Sequence, residues 1–467
     1  MKSISSAIGE GGEQLIGSVA PARRRTRLDT AVARIINGAA RLPDRLTARL
    51  WAAVKLALAA PFAVPTALAV FATVPGAARK TRRRAQRFPS AILTGDTDVT
   101  GTLTHLDPGA RYLITSDLHR CLPGARDWPR TQHTAEVYDV VLDHYATAEW
   151  GLIEAGDVED VWMVGGSAIG AAVDALRLAG GALAPINSRL SHATSREQLR
   201  AIMANHGGTY RRLADRFCIP GRYWRLSGNH DDALGRPEVA EVVADQLPGF
   251  ALSDTIALGQ PGAEPEAVIS HGHLTDPWNG PVGAWRGRIV TWIANTIADL
   301  RGRELGIMDA RAREALLTGR AGNRLRAIPG AFSLDRDQFT LDESALHEAF
   351  VDRFGVNRGP WLVLGHTHIP GDGPWDPGRS SRYDRYVNAG SGVTDRVITA
   401  VEWDGTGEER RPVLVAFGTQ DDLPIALTYP KATDDAHRLA VRASHRSTIG
   451  TLRGQPVVRV ELRAPTG

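Results

Sequence analysis

At 467 residues, 43% of them hydrophobic, the chain is long enough for a sizeable core, which excludes wholesale disorder. Two cysteines, Cys121 and Cys218, exclude a disulfide framework and fit a reducing cytoplasm. The net charge of +3 hides an asymmetry: residues 1–90 carry 16 Lys/Arg against 4 Asp/Glu, and the remainder carries 39 against 48, so a basic arm precedes an acidic body.

Residues 1–28 are rich in Gly, Ser and Arg, show no apolar period and are expected to be disordered. No apolar h-region follows the first basic residues, so no signal peptide is expected. Residues 29–90 read as a basic, apolar helical arm. An amphipathic helix is predicted from about Asp29 to Leu58, with Arg41, Arg45 and Arg49 along it. From Leu56 to Ala78 no residue is charged, a length close to the roughly 20 residues that span a bilayer. Pro61, Pro65 and Pro75 interrupt that run, and each removes a backbone donor and bends a helix. Arg79, Lys80, Arg82, Arg83, Arg84 and Arg87 follow it. Positive charge on both sides predicts a re-entrant or interfacial element on an anionic membrane surface; a true span and a hairpin packed on the protein itself are the alternatives. The expected location is cytoplasmic, at the inner face of a membrane.

The main domain is assigned to residues 91–418, with the regular body beginning near Arg111. Short apolar runs ending in polar clusters read as buried strands: RYLITS (111–116), WGLIEAG (150–156), RYWRLSG (222–228), AVIS (267–270) and WLVLG (361–365). Helical patterns lie between them at Thr134–Ala148, Arg196–Asn205 and Glu238–Gln246, and this alternation predicts an α/β fold. Residues 281–350 break the rhythm and read as a helical insertion or cap. Trp278 just before it and Trp285 and Trp292 within it fit helix core or an apolar substrate groove. Beyond Gly365 the pattern turns to strands: YVNAGSG, VITAVEW and PVLVAFG. Residues 419–467 read as a tail ending in a weak strand, VVRVEL.

The residues that carry chemistry stand just past the predicted strand ends, where ligands bind in open α/β sheets. They are Asp117 and His119 (SDLH), Asp157 (AGDVED), Asn229, His230 and Asp231 (SGNHDD), His271 and His273 (SHGH), and His366 and His368 (GHTH). A lone D-x-H or strand-end histidine is more often a hydrogen-bonded surface residue than a ligand. The joint pattern is the signal: five strand-like runs each end in metal-type ligands, and six of the fourteen histidines fall within these motifs. Imidazole and carboxylate together suit Mn, Fe, Zn or Co better than Ca or Mg. Two such ions about 3.5–4 Å apart can share a carboxylate and a hydroxide and clamp phosphate oxygens.

In this order the motifs resemble the calcineurin-like metallophosphoesterases, over about residues 111–403. The resemblance implies a four-layer α/β/β/α sandwich and a dinuclear centre, with manganese the first choice of metal. It implies one ion held by Asp117, His119, Asp157 and His368, and a second by Asp157, Asn229, His271 and His366, with Asp157 bridging. His230 would lie near the leaving oxygen as general acid or transition-state stabiliser, with Asp231 orienting its ring. The implied reaction is in-line hydrolysis of a phosphomonoester or phosphodiester by a metal-bridging hydroxide; the motifs leave the substrate open, and the basic arm with its apolar run tilts the expectation toward a lipid-linked or membrane-adjacent one. Arg120 and His273 are further candidates for contact with that substrate, and Glu159 or Asp160 for a hydrogen bond to a ligand histidine. A scaffolding module on the same fold and a nucleic-acid phosphodiesterase are the alternatives. The acidic body disfavours a long nucleic-acid groove.

Overall fold

The computed structural model describes residues 25–164, 166–183, 188–281, 283–301, 344–368, 370–372, 383–393, 396–407, 410–423 and 440–463. The expected disorder of residues 1–24, the centre of the insertion and the start of the tail lie outside them. The chain is a mixed α/β protein with two mixed sheets. In one, strands run in the order β1 (Leu103–Leu106), β6 (Thr255–Leu258), β7 (Ala267–Ser270), β8 (Trp361–Leu364), β10 (Tyr386–Asn388) and β9 (Gly371–Asp372). In the other the order is β13 (Ala440–Leu452), β14 (Gln455–Arg463), β12 (Pro412–Thr419), β11 (Ile398–Asp404), β2 (Arg111–Thr115), β3 (Gly151–Ala155), β4 (Tyr223–Leu226) and β5 (Leu252–Ser253). β2, β3, β4 and β5 are mutually parallel, as are β7, β8 and β10.

Side chains alternate across a strand, so each strand feeds two cores. Tyr112 and Ile114 of β2, Ile153 of β3 and Leu226 of β4 join Ile256, Ile269, Val363 and Val387 of the other sheet in one buried cluster. The alternate residues Leu113 and Leu152 face a second cluster with the helices Ala135–Thr147 and Arg189–Asn205. On the other sheet, Val268, Leu362 and Leu364 turn toward Phe88 and Ile92 of the arm and Phe350 of the helix Ser344–Phe354.

The five predicted motif strands occur within a residue or two of their expected bounds. Several elements differ. The regular body begins at β1 rather than near Arg111, because β1 pairs with the distant β6 in parallel register. The helix Ala168–Leu183 was not anticipated. VVRVEL lies in β14, a full member of the larger sheet held by β12 and β13.

The arm differs most. The single helix expected over Asp29–Leu58 is two, α1 (Arg27–Ala39) and α2 (Asp44–Ala59), separated at Pro43. α1 starts inside the segment expected to be disordered, because Thr26 and Asp29 close a capping box. A short turn, Ala60–Phe62, leads into α3 (Ala63–Thr94), which continues through Pro75 and Pro89. The arm is tied to the body on one side. Asp29 pairs with Arg196 at 2.7 Å, and buried Lys55 pairs with Asp174 at 2.7 Å. Trp51 Nε1 donates to Asp174 at 3.0 Å, and Arg286 donates to Thr73 at 3.1 Å. Among the described residues no single helix is long and apolar enough to cross a membrane; α2 and α3 pass that test only as a pair bent by 68°.

Candidate metal centre

Because β2, β3 and β4 are parallel neighbours, their carboxyl ends deliver Asp117, His119, Asp157 and the Asn229–Asp231 loop to one edge. β7 and β8, parallel in the opposing sheet, bring His271, His366 and His368 to meet them. Three groups of ligand atoms result: Asp117, His119 and His368; Asp157, His271 and His366; and His119, Asp160 and His230, each within 4.8 Å internally. The buried His/Asp clusters could hold metal ions.

His368 Nε2 lies 2.8 Å from Asp117 Oδ1 and 3.0 Å from His119 Nε2. Asp157 stands between the groups. Its Oδ2 is 3.3 Å from His271 Nε2 and 3.9 Å from His119 Nε2, and its Oδ1 accepts from the His230 backbone N–H at 2.7 Å. Asn229 Oδ1 is buried without a hydrogen-bond partner, while Asp117 Oδ1 and His271 Nε2 meet only other members of the cluster, His368 and Asp157. A buried polar atom left unsatisfied is costly, so an amide oxygen orphaned beside crowded carboxylates and imidazoles calls for a ligand. Carboxylate, imidazole and amide oxygen form the donor set a borderline divalent cation takes.

The backbone is bent to this purpose. Asp117, His119, Asp157, His366 and His368 all have positive φ, between 45° and 64°. Left-handed backbone at a non-glycine residue costs roughly 1–3 kcal/mol and persists only where surrounding structure enforces it. Here that structure is local: Asp117 N–H donates to Gly156 O at 3.1 Å, His119 N–H to Asp157 O at 2.8 Å, and His366 N–H to the Asp117 carboxylate at 2.9 Å. The motif glycines make room. A Cβ on Gly156, itself at φ 90°, would sit 2.6 Å from the His271 ring, and one on Gly228 would overlap the Asp157 carboxylate.

Charge is concentrated. Burial pushes the Asp117 carboxyl up, but the His368 and His271 rings outweigh it and hold it well below the usual range. Asp157 and Asp160 are depressed in the same way against burial, chiefly by His271 and by His230 respectively. Burial lowers His119, yet Asp117 and Asp160 raise it to about 10; His271 is likewise raised to about 9 by Asp157 and Asp117. The carboxylates therefore draw positive charge into a region shut off from water.

Three expectations need correction. Asp231 does not orient His230: its carboxylate accepts from the Gly228 and Val158 backbone N–H groups at 2.6 and 3.1 Å. Asp160 takes the expected place, with Oδ1 2.9 Å from His230 Nδ1 and Oδ2 2.8 Å from His119 Nδ1. Arg120 is not at a substrate surface: it is 2% exposed, pairs with Glu154 at 2.6 Å and stacks over Tyr138 and Tyr210. His273, expected either behind the ligand histidines or toward substrate, takes the first place and not the second: it is buried against His271 and His366, and burial followed by those two rings keeps it well below the usual histidine range. His230 retains access, its side chain 17% exposed, with the Trp162 ring 4.7 Å away.

Asp276 was missed. Its Oδ2 contacts His366 Nε2 at 2.8 Å, while its carboxylate caps Trp278 N–H and Asn279. No strand end or repeat marks it in the sequence; it is fixed only by the turn His273–Thr275 after β7. Cys121 is buried with its thiol on Met163 O, and burial raises its pKa well above the ordinary value.

No protein-family model matches the chain, and no curated protein is similar to it by sequence.

Proposed function

We propose that this protein is a dinuclear-metal phosphoesterase of the calcineurin-like type, on a four-layer α/β/β/α sandwich. The observation that carries the reading is Asp157: one buried carboxylate that contacts His271 of one group and His119 of the other, beside the orphaned Asn229 Oδ1. Asp117, His119, Asp157 and His368 would hold one ion, and Asp157, Asn229, His271 and His366 the other; manganese, iron, zinc and cobalt suit the donors. When bound, such a pair lowers the pKa of water toward neutrality and offsets charge on phosphoryl oxygens.

The chain's own residues supply the rest. Asp160 bonds His119 and His230 through separate oxygens, so one carboxylate sets the tautomer of a ligand and of the accessible imidazole together. His230, its Nδ1 2.9 Å from Asp160 Oδ1 and its side chain 17% exposed, is the group able to give a proton to a leaving alkoxide. Trp162 against the ring keeps it upright. The reaction is direct attack of water on a phosphoester, with no side-chain nucleophile: Cys121 is buried and held as a thiol.

The test is metal analysis of the purified protein combined with turnover of p-nitrophenyl phosphate and bis-p-nitrophenyl phosphate. The reading expects about two ions per chain and hydrolysis of at least one ester, both lost in Asp157→Ala. Wild-type protein that takes up no Mn, Fe, Zn or Co would overturn it, and so would full activity in Asp157→Ala.

A further inference from the structure

We propose that α2, the turn Ala60–Phe62 and the start of α3 form a docking surface for an anionic lipid bilayer. α2 has two contrasting faces. Ala48, Ala52 and Lys55 are buried against the body, where Lys55 meets Asp174 and lies over the Trp292 ring. The outward face is a stripe with a period of four: Leu46, Leu50, Val54 and Leu58 are all exposed, between 45% and 61%, and Leu42, 52% exposed, leads into it from the linker before α2. Positions four apart lie on one side of a helix, so the stripe is continuous. Past the turn it extends through Phe62, Val64 and Leu68, from 54% to 69% exposed.

A soluble surface scatters its exposed apolar residues; a long continuous strip marks an interaction site. The charges beside the strip select the partner. Arg41, Arg45 and Arg49 keep the same four-residue period one position ahead of the leucines, and all three are exposed. An apolar strip edged by arginines is the pattern of a helix lying in the plane of a membrane interface, with guanidinium groups reaching phosphate. On the far limb Arg79, Lys80, Arg82 and Arg83 are exposed as well. Val70, Val74 and Ala77 are buried against the body, so α3 is free only over its first two turns. At 1.5 Å per residue, Phe62 to Leu68 covers about 9 Å, matching the roughly 5–10 Å to which interfacial helices sink. The anchored bend therefore lies on the bilayer without crossing it. Trp285, 40% exposed on the adjoining helix Ala284–Arg301, adds an aromatic of the type that favours the headgroup layer.

Vesicle co-sedimentation of the full chain tests this without any activity readout, so its outcome is separate from that of the metal-centre reading. Vesicles of phosphatidylglycerol and phosphatidylethanolamine should carry the protein down, vesicles of phosphatidylcholine should not, and salt should weaken the binding. The double variant Leu50→Glu, Phe62→Glu should lose at least tenfold in partitioning at an unchanged melting temperature. Arg45→Glu, Arg49→Glu should lose anionic binding alone. Unchanged binding in the first variant would overturn the proposal. So would a self-associated wild type that the variant makes monomeric, which assigns the strip to a second copy. A lowered melting temperature with no vesicle binding in the wild type would likewise overturn it, assigning the strip to a cover from elsewhere in the chain.

Discussion

The two functional regions bury opposite things. At the strand ends the fold buries charge: five residues of the candidate centre take left-handed backbone, and carboxylates and imidazoles crowd together with His230 the partly exposed member. Along the arm it buries one lysine and leaves Leu46, Leu50, Val54 and Leu58 of a single helix in solvent. Each is the reverse of what folding alone favours. The strained backbone is tolerated because parallel strands on both sides enforce it, and the exposed strip because α2 is pinned from behind by Asp174. Free energy spent against stability on a rigid support is the feature on which the two proposals rest, a cation in one case and a bilayer surface in the other.

That contrast breaks most readily at Asp157. Asp157→Ala should abolish turnover by more than about a thousandfold and remove both ions, since one oxygen set serves both groups; retained metal would separate the two clusters. If His230 has the proton-donor role proposed above, His230→Ala should lower kcat by about a hundredfold or more while metal content stays at the wild-type level. Asp160→Asn should cost roughly 10–100-fold in activity or metal affinity, and Asp231→Asn should leave the pH profile of kcat unmoved. An equal loss in the two would return the orienting role to Asp231.

A different readout sharpens the charged interior. Arg120→Ala should lower stability by up to about 3 kcal/mol, because Glu154 loses its closest cation but keeps Tyr138, Tyr223 and Arg225, and should not raise KM selectively. Chemical denaturation measures the first, and steady-state kinetics the second. The smallest effect belongs to the arm. Burial raises Asp29, but its hydrogen bonds from Thr26 and its pairing with Arg196 outweigh this and hold it below 3.8. A depressed carboxyl contributes stability above its unfolded value and loses it as pH falls. The melting-temperature gap between wild type and Asp29→Asn should therefore be full at neutral pH and close as the pH drops below about 4.

Much of the site was legible because its residues are tied to strand ends, and short apolar runs such as AVIS and WLVLG show where strands stop. What escaped was whatever depends on a partner distant in sequence. Asp231 follows His230 directly, so adjacency made it the natural orienting group. The loop turns it back onto Gly228 and Val158, and Asp160 arrives from the neighbouring strand. Arg120 adjoins a ligand, yet alternation along the chain turns it inward to Glu154. β1 and β6 are short and weakly patterned, and exist because they pair with each other across about 150 residues.

By itself the sequence determined the α/β alternation, the motif strands, the ligand types and the charge asymmetry of the arm, since these follow from local period and composition. Only the tertiary structure decided which carboxylate stands between the two groups, which acid holds His230, and which face of α2 remains in water. Those depend on the register between strands and on which side of a helix meets the body. Neither is written in any short stretch of chain, because both arise from packing among segments far apart.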